Sequence, residues 1–182
     1  MRILTKEELV YNLETLSKEI KDGAVFIYPT DTIYGIGCSA LNEKAVNKVR
    51  ELKNRPDNPF SVIAPSKEWI KNNCEVDELN ILPGPYTLVV KLKNNPIVEP
   101  VNLGTETLGV RIPEHWISKF VAELNIPIVT TSVNKAGEQF MTSLEDLDED
   151  IKAKVDFIIY EGKKKARPSK IINLTKGIEK ER

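Results

Sequence analysis

The chain is poor in the residues that build metal and redox centres. It has one histidine, His115, and two cysteines, Cys38 and Cys74, with no Cys-x-x-Cys pair. That leaves too few ligands of the right spacing for a zinc site. Two cysteines among 182 residues make no disulfide framework either, so both are expected as buried or incidental thiols. A basic excess is also missing. Twenty-six Lys and Arg stand against 27 Asp and Glu, a formal net charge of -1, which argues against a general nucleic-acid binder while leaving room for a local basic patch. No apolar run is long enough to span a bilayer. The start, Met1-Arg-Ile-Leu-Thr-Lys-Glu, has no signal-peptide hydrophobic region, and a soluble cytoplasmic protein without a membrane partner is expected. Gly-x-Gly-x-x-Gly, the Gly-Lys-Ser/Thr of a P-loop and the Gly-x-Ser-x-Gly elbow are all absent.

What is present suits one packed domain over residues 1–182, with 41% hydrophobic and 29% charged residues. Thr5 and Glu8 form a capping box before a helix that carries Leu9, Leu13, Leu16 and Ile20 on one face and ends at Gly23. Asn42 caps a second helix running to about Lys53, with Ala45, Val46, Val49 and Leu52 inward. Strands are predicted over 24–28, 60–64, 86–92, 108–112, 127–131, 157–160 and 171–174. Helices are predicted over 67–73 and 115–124, with a loop at 94–105. Thr142 and Glu145 read as a capping box before an acidic helix of about three turns. Residues 179–182 are expected to fray. Helices alternate with strands, yet the strands near 86–92 and 108–112 are joined by a loop. The expectation is therefore an α/β fold with a mixed, twisted open sheet and flanking helices.

The polar groups cluster at strand ends. Residues 28–37 read Tyr-Pro-Thr-Asp-Thr-Ile-Tyr-Gly-Ile-Gly, an apolar strand followed by hydroxyls and a glycine pair. Thr130, Ser132 and Asn134 follow another strand, and Ser169 precedes the last. Each alone is an ordinary turn or cap residue, but ligands in open α/β sheets settle outside strand ends, so the set points to one crevice. A second set is cationic. Lys53 and Arg55 close a helix, where a surface role is equally natural. Arg111 lies inside an apolar strand, where a charge needs an anionic partner. The run Lys163-Lys-Lys-Ala-Arg167 reads as a solvated loop, a lid over phosphates or an RNA patch. No nucleophile–base pair stands out, and His115 is expected to be structural. Such a site works by positioning and charge stabilisation.

Six segments in order resemble the motifs of the YrdC family, the threonylcarbamoyl-AMP synthases, in their short single-domain form. They are residues 28–37, Lys53-Asn-Arg55-Pro with Asn58-Pro59, Pro83-Gly-Pro-Tyr-Thr-Leu88, Gly109-Val-Arg111-Ile-Pro113, Thr130-Thr-Ser132-Val-Asn134 and, more weakly, Pro168-Ser169-Lys-Ile-Ile172. The resemblance implies a positively lined cavity at the strand ends. It also implies synthesis of threonylcarbamoyl-AMP and pyrophosphate from L-threonine, bicarbonate and ATP, for the N6-threonylcarbamoyl modification of adenosine 37 in tRNA. Carried over, Lys53 and Arg55 are the catalytic cations. Thr30, Thr32, Arg111, Thr130 and Ser169 contact threonine. Lys53, Arg55, Asn58, Thr107, Ser132 and Asn134 face ATP. Mg²⁺ arrives with ATP rather than on protein side chains, and tRNA or a tRNA-modifying threonylcarbamoyl transferase is implied as a further partner. The chain departs from the family pattern in three places. The segment between Arg55 and Asn58 is one residue short, Ile63 replaces a histidine near threonine, and Lys170 replaces a threonine. These departures give standing to two alternatives, a non-catalytic YrdC-like module that binds RNA or a nucleotide, and a synthase for another amine.

Overall fold

The computed structural model describes residues 1–180. Its centre is the block at residues 28–37, which folds as a hairpin. β2 (Phe26–Tyr28) pairs antiparallel with β3 (Gly35–Gly37), Tyr28 opposite Gly35. Both glycines of the return strand are required by close packing. A Cβ on Gly37 would lie 1.7 Å from the Val129 carbonyl oxygen, and one on Gly35 would meet the Tyr28 ring at 2.9 Å.

The other strands build one mixed sheet around this hairpin. They are β1 (Arg2–Leu4), β4 (Ser61–Ile63), β5 (Cys74–Glu75), β6 (Tyr86–Leu92), β7 (Thr107–Arg111), β8 (Ile128–Ser132), β9 (Phe157–Ile159), β10 (Lys170–Asn173) and β11 (Ile178–Lys180). The order is β1-β9-β2-β3-β8-β4-β7-β6-β10-β11, with β5 added on β6. Parallel pairs (β1 with β9, β4 with β7) sit beside antiparallel ones (β3 with β8, β6 with β7), as the loop-joined strands required.

Helices cover both faces. α3 (Glu43–Leu52), capped by the Asn42 side chain on the Ala45 amide, buries Ala45, Val46, Val49 and Leu52 against Ile27, Ile36, Val62, Val110 and Val129. On the opposite face Leu9, Leu16, Ile20, Phe120 and Leu124 pack on Phe26, Tyr28, Ile63 and Ile128. Cys38 and Cys74 are buried in the first of these layers, and burial pushes the Cys74 thiol up to about 11. As free thiols they match the inert reading.

Several elements differ from expectation. The first helix is two, α1 (Lys6–Tyr11) and α2 (Leu13–Asp22), because the Asn12 amide donates to the Glu8 carbonyl at 2.7 Å and ends α1. The Thr5–Glu8 box and the Gly23 stop are in place. The helix expected over 67–73 is α4 (Lys67–Asn73), and residues 94–105, expected as loop throughout, contain a short helix, α5 (Glu99–Asn102). α6 (Ile117–Leu124) starts two residues later than the 115–124 expected. The second capping box is Ser143 with Asp146, not Thr142 with Glu145. The acidic helix is a 3₁₀ turn (Leu144–Asp146) followed by α7 (Glu149–Lys154), where Asp148 caps a new start. β1, β3, β5 and β11 were not anticipated: each is two or three residues long, too short for a period to register. Of the tail expected to fray, Glu179 and Lys180 lie in β11, and Glu181 and Arg182 lie outside the described residues.

Candidate active site

The loop of the β2–β3 hairpin folds on its own hydroxyls. The Thr30 hydroxyl donates to the Ile33 carbonyl at 2.7 Å, accepts from the Thr32 amide at 3.1 Å and shares a 2.9 Å bond with the Thr32 hydroxyl. This turn projects Asp31 towards β7. Asp31 Oδ1 accepts from Arg111 Nη2 at 2.7 Å, and Oδ2 accepts from the Glu114 amide at 2.9 Å. Arg111 also reaches the Thr32 hydroxyl at 3.4 Å. The Arg111 side chain is 6% exposed, so its charge is held in a dry setting where ionic contacts are strong.

Alternation along β7 places Arg111, Gly109 and Thr107 on one face. Register extends that face sideways, because Gly109 pairs with Ser61 and Ser61 with Thr130. The floor of the site is thus made of small residues. A Cβ on Gly109 would sit 2.3 Å from the Ser61 hydroxyl oxygen. Over this floor lies a pocket whose empty volume, its open mouth included, is about 500 Å³. Thr30, Arg111, Thr130, Ser132 and Ser169 all line it. Ser169 shares a 2.8 Å bond with Thr87, which also faces the pocket.

The rim beyond Ser132 holds Lys53. Its side chain is not a surface cation at a helix end: the residue is 2% exposed. Its ammonium donates to the Ser132 carbonyl at 2.5 Å and to Asn134 Oδ1 at 2.8 Å, and Asn134 Oδ1 accepts from the Ser132 hydroxyl at 2.6 Å. Lys53, Ser132 and Asn134 therefore form one unit, joined through Ser132 to the pocket. Thr32 adjoins the pocket through Arg111. Arg55, Asn58 and Thr107 do not line it. Arg55 donates to the Pro59 carbonyl at 3.2 Å, Asn58 lies on the exposed loop after α3, and Thr107 is at the far end of β7 from Arg111. Ile63 is fully buried in the helix-covered layer and is not among the lining residues.

A strap crosses the other side. Residues 160–169 connect β9 to β10, and Pro168 and Ser169 face the pocket. Tyr34 donates to the Gly162 carbonyl at 2.7 Å and accepts from the Glu161 amide at 3.1 Å, and burial pushes its phenol up to about 12. The Glu161 carboxylate takes Trp116 Nε1 at 2.8 Å, His115 Nε2 at 2.9 Å and the Lys164 ammonium. These bonds outweigh the opposing effect of burial and hold Glu161 below its ordinary value. His115 thus belongs to the contacts that anchor the strap. Ser61, Thr87, Tyr34 and Asp31 escaped the sequence reading as site residues. Strand alternation was the available signal for Ser61 and Thr87.

Among the described residues there is no cluster of three or more His, Cys, Asp or Glu arranged to hold a metal, and no helix is long and apolar enough to cross a membrane. The structure is thus a mixed α/β domain whose candidate site is a crevice of hydroxyls and one buried arginine at the strand ends, with a buried lysine beside it.

Comparison gives the family. Residues 18–181 match the Sua5/YciO/YrdC family model, described as "Telomere recombination". The chain belongs to that family. A Methanocaldococcus jannaschii protein provisionally named threonylcarbamoyl-AMP synthase is 39% identical over 180 residues, covering 94% of this chain and 84% of that one. The threonylcarbamoyl-AMP synthase of Pyrococcus abyssi is 34% identical over 166 residues, with 86% of this chain covered, and this chain spans about half of its length (48%). The structure of P. abyssi Sua5 complexed with L-threonine superposes with a TM-score of 0.83 at 29% identity, over 96% of this chain and 54% of that one.

Proposed function

We propose that the protein is a threonylcarbamoyl-AMP synthase, a nucleotidyltransferase that joins L-threonine, bicarbonate and ATP and releases pyrophosphate. The observation that carries this reading is Arg111. It is a buried guanidinium, oriented by Asp31, in a pocket that Ser132 also lines, and Ser132 is bonded in turn to Lys53 and Asn134. A planar, fixed guanidinium suits a carboxylate, here that of threonine. Thr30, Thr32, Thr130 and Ser169 supply hydroxyls for the amino acid's hydroxyl and carbamoyl groups.

In the proposed reaction the threonine nitrogen bonds to the carbon of CO₂ derived from bicarbonate and loses a proton, giving a carbamate. A carbamate oxygen then bonds to the α-phosphorus as the bond to the pyrophosphate oxygen breaks. Lys53 and Arg55 are the cations assigned to the charge that spreads over the phosphates, with Asn58, Thr107, Ser132 and Asn134 positioning the nucleotide. Magnesium enters as part of the MgATP substrate. The synthase names of the relatives and the threonine-bound relative support this reading over a non-catalytic module. On this reading the product serves a transferase acting on tRNA, and the protein acts in the cytoplasm.

The test is mass spectrometry of the purified protein incubated with ATP, Mg²⁺, L-threonine and bicarbonate, with a no-threonine control. A threonylcarbamoyl-AMP peak that needs both threonine and bicarbonate is expected. Its absence from folded protein that still binds ATP would overturn the assignment.

A further inference from the structure

The loop between α3 and β4, residues 53–59, carries Arg55 and Asn58 and contains two prolines, Pro56 and Pro59, which remove backbone donors. Its shape depends on a side chain that does not line the pocket. Arg50, in the last turn of α3, turns its guanidinium back under the loop. Nη1 donates to the carbonyls of Arg55 at 2.7 Å, Asn58 at 3.0 Å and Pro56 at 3.2 Å, and Nη2 donates to the Pro100 carbonyl of α5 at 2.6 Å. The guanidinium carbon stacks 4.4 Å above the Phe60 ring. Burial lowers the Arg50 pKa, against the pull of Glu99 and Asp57. One planar fork thus ties three carbonyls of the loop to a second element.

We propose that Arg50 is the positioning residue for this loop: it fixes the arrangement in which Arg55 and Asn58 meet the ATP phosphates, without touching ATP itself. The inference rests on the assignment of the loop to the phosphates under the proposed function. The physical case is preorganisation. Asn54 and residues 56–59 of the loop are exposed, and binding a triphosphate to a loosened loop must first restore its order. Lysine cannot replace the fork, because a single ammonium lacks the planar, divergent donors that reach Pro100 and the loop together.

The experiment measures ATP affinity by calorimetry, and KM for ATP and for threonine, in Arg50→Lys, Arg50→Met, Arg55→Ala and Arg50→Met/Arg55→Ala. Both Arg50 variants should weaken ATP binding about tenfold and raise the ATP KM alike, with the threonine KM within about twofold of the parent. The double variant should lose less than the product of the single losses, since both act through one loop. Arg50→Lys guards against a Met variant that fails to fold. Arg55→Ala separates the two readings. If it leaves ATP affinity unchanged, the phosphate assignment of the loop fails and the Arg50 proposal with it. If it weakens ATP while both folded Arg50 variants bind ATP as the parent does, or if the double-variant losses simply multiply, the positioning role of Arg50 alone is overturned.

Discussion

Asp31 and Arg111 are 80 residues apart in the chain and meet at 2.7 Å in the pocket wall, with the second oxygen of Asp31 tied to the Glu114 amide. The carboxylate is therefore fixed at both oxygens, and it fixes Arg111 in turn. Replacing Asp31 by Asn keeps the size but strips the charge from a pair whose side chains are 11% and 6% exposed. The variant should lose about 3 kcal/mol of folding stability, the range seen when one partner of a buried pair is removed. It should also raise the threonine KM about tenfold as Arg111 loses its orientation. Arg111→Ala should raise the threonine KM more strongly. Denaturant titration and initial-rate kinetics check both, and an unchanged threonine KM in folded Arg111→Ala would remove Arg111 from threonine binding.

Gly109 is the point where the sheet floor has no room for a side chain. An alanine Cβ there would sit 2.3 Å from the Ser61 hydroxyl oxygen and 2.9 Å from the Ser61 Cβ. Gly109→Ala should cost about 2 kcal/mol through overpacking. The clash is with one neighbour, so Gly109→Ala/Ser61→Gly should recover most of the loss while Gly109→Ala/Ser61→Ala should recover only part. Melting of the three variants decides it. Equal recovery in both double variants would mean that the hydroxyl alone set the limit.

The legible parts of this protein were those with a period or a chemical reason of their own. The α3 face at Ala45, Val46, Val49 and Leu52, the limits of Lys67–Asn73 and Tyr86–Leu92, and the convergence of Thr30, Arg111, Thr130, Ser132 and Ser169 all followed from spacing and from the cost of burying a charge. What escaped depends on contacts distant in sequence. The strand at Gly35–Gly37 gave no signal, because nothing local says that the Val129 carbonyl oxygen would lie 1.7 Å from a Cβ at position 37. Asn12 looked like a helical residue because its side chain's choice of the Glu8 carbonyl is decided by geometry, not by pattern. Arg50 gave no signal of its own in the sequence, since only the folded loop gives it carbonyls to hold.

The strap over the pocket hangs on the Tyr34 hydroxyl, which both donates to Gly162 and accepts from the Glu161 amide. Tyr34→Phe keeps the ring stacked on Tyr160, at 5.7 Å between centroids, and deletes both bonds. The loss should be about 1 kcal/mol of local stability. Amide exchange should then speed up roughly fivefold at Glu161 and Gly162, with β6 and β7 unchanged. Exchange that accelerates equally across the sheet would mean that Tyr34 supports the fold rather than the strap.

His115 is the chain's only histidine, so one imidazole dominates proton uptake between pH 7 and 5. Burial lowers its pKa below the ordinary 6.5, and the attraction of Glu161 offsets this only in part. The unfolded chain therefore binds a proton more readily than the folded protein does. On that sign, stability is at its full value above pH about 6.5 and falls as the pH drops from there through the lower folded pKa. Glu161, held below 4.5, contributes a second loss that begins only at more acidic pH. Denaturant unfolding at pH 7.5, 6.5 and 5.5 should give a plateau followed by a decline, and His115→Asn should flatten the decline. A decline of the same slope in both proteins would assign the effect to groups other than this imidazole.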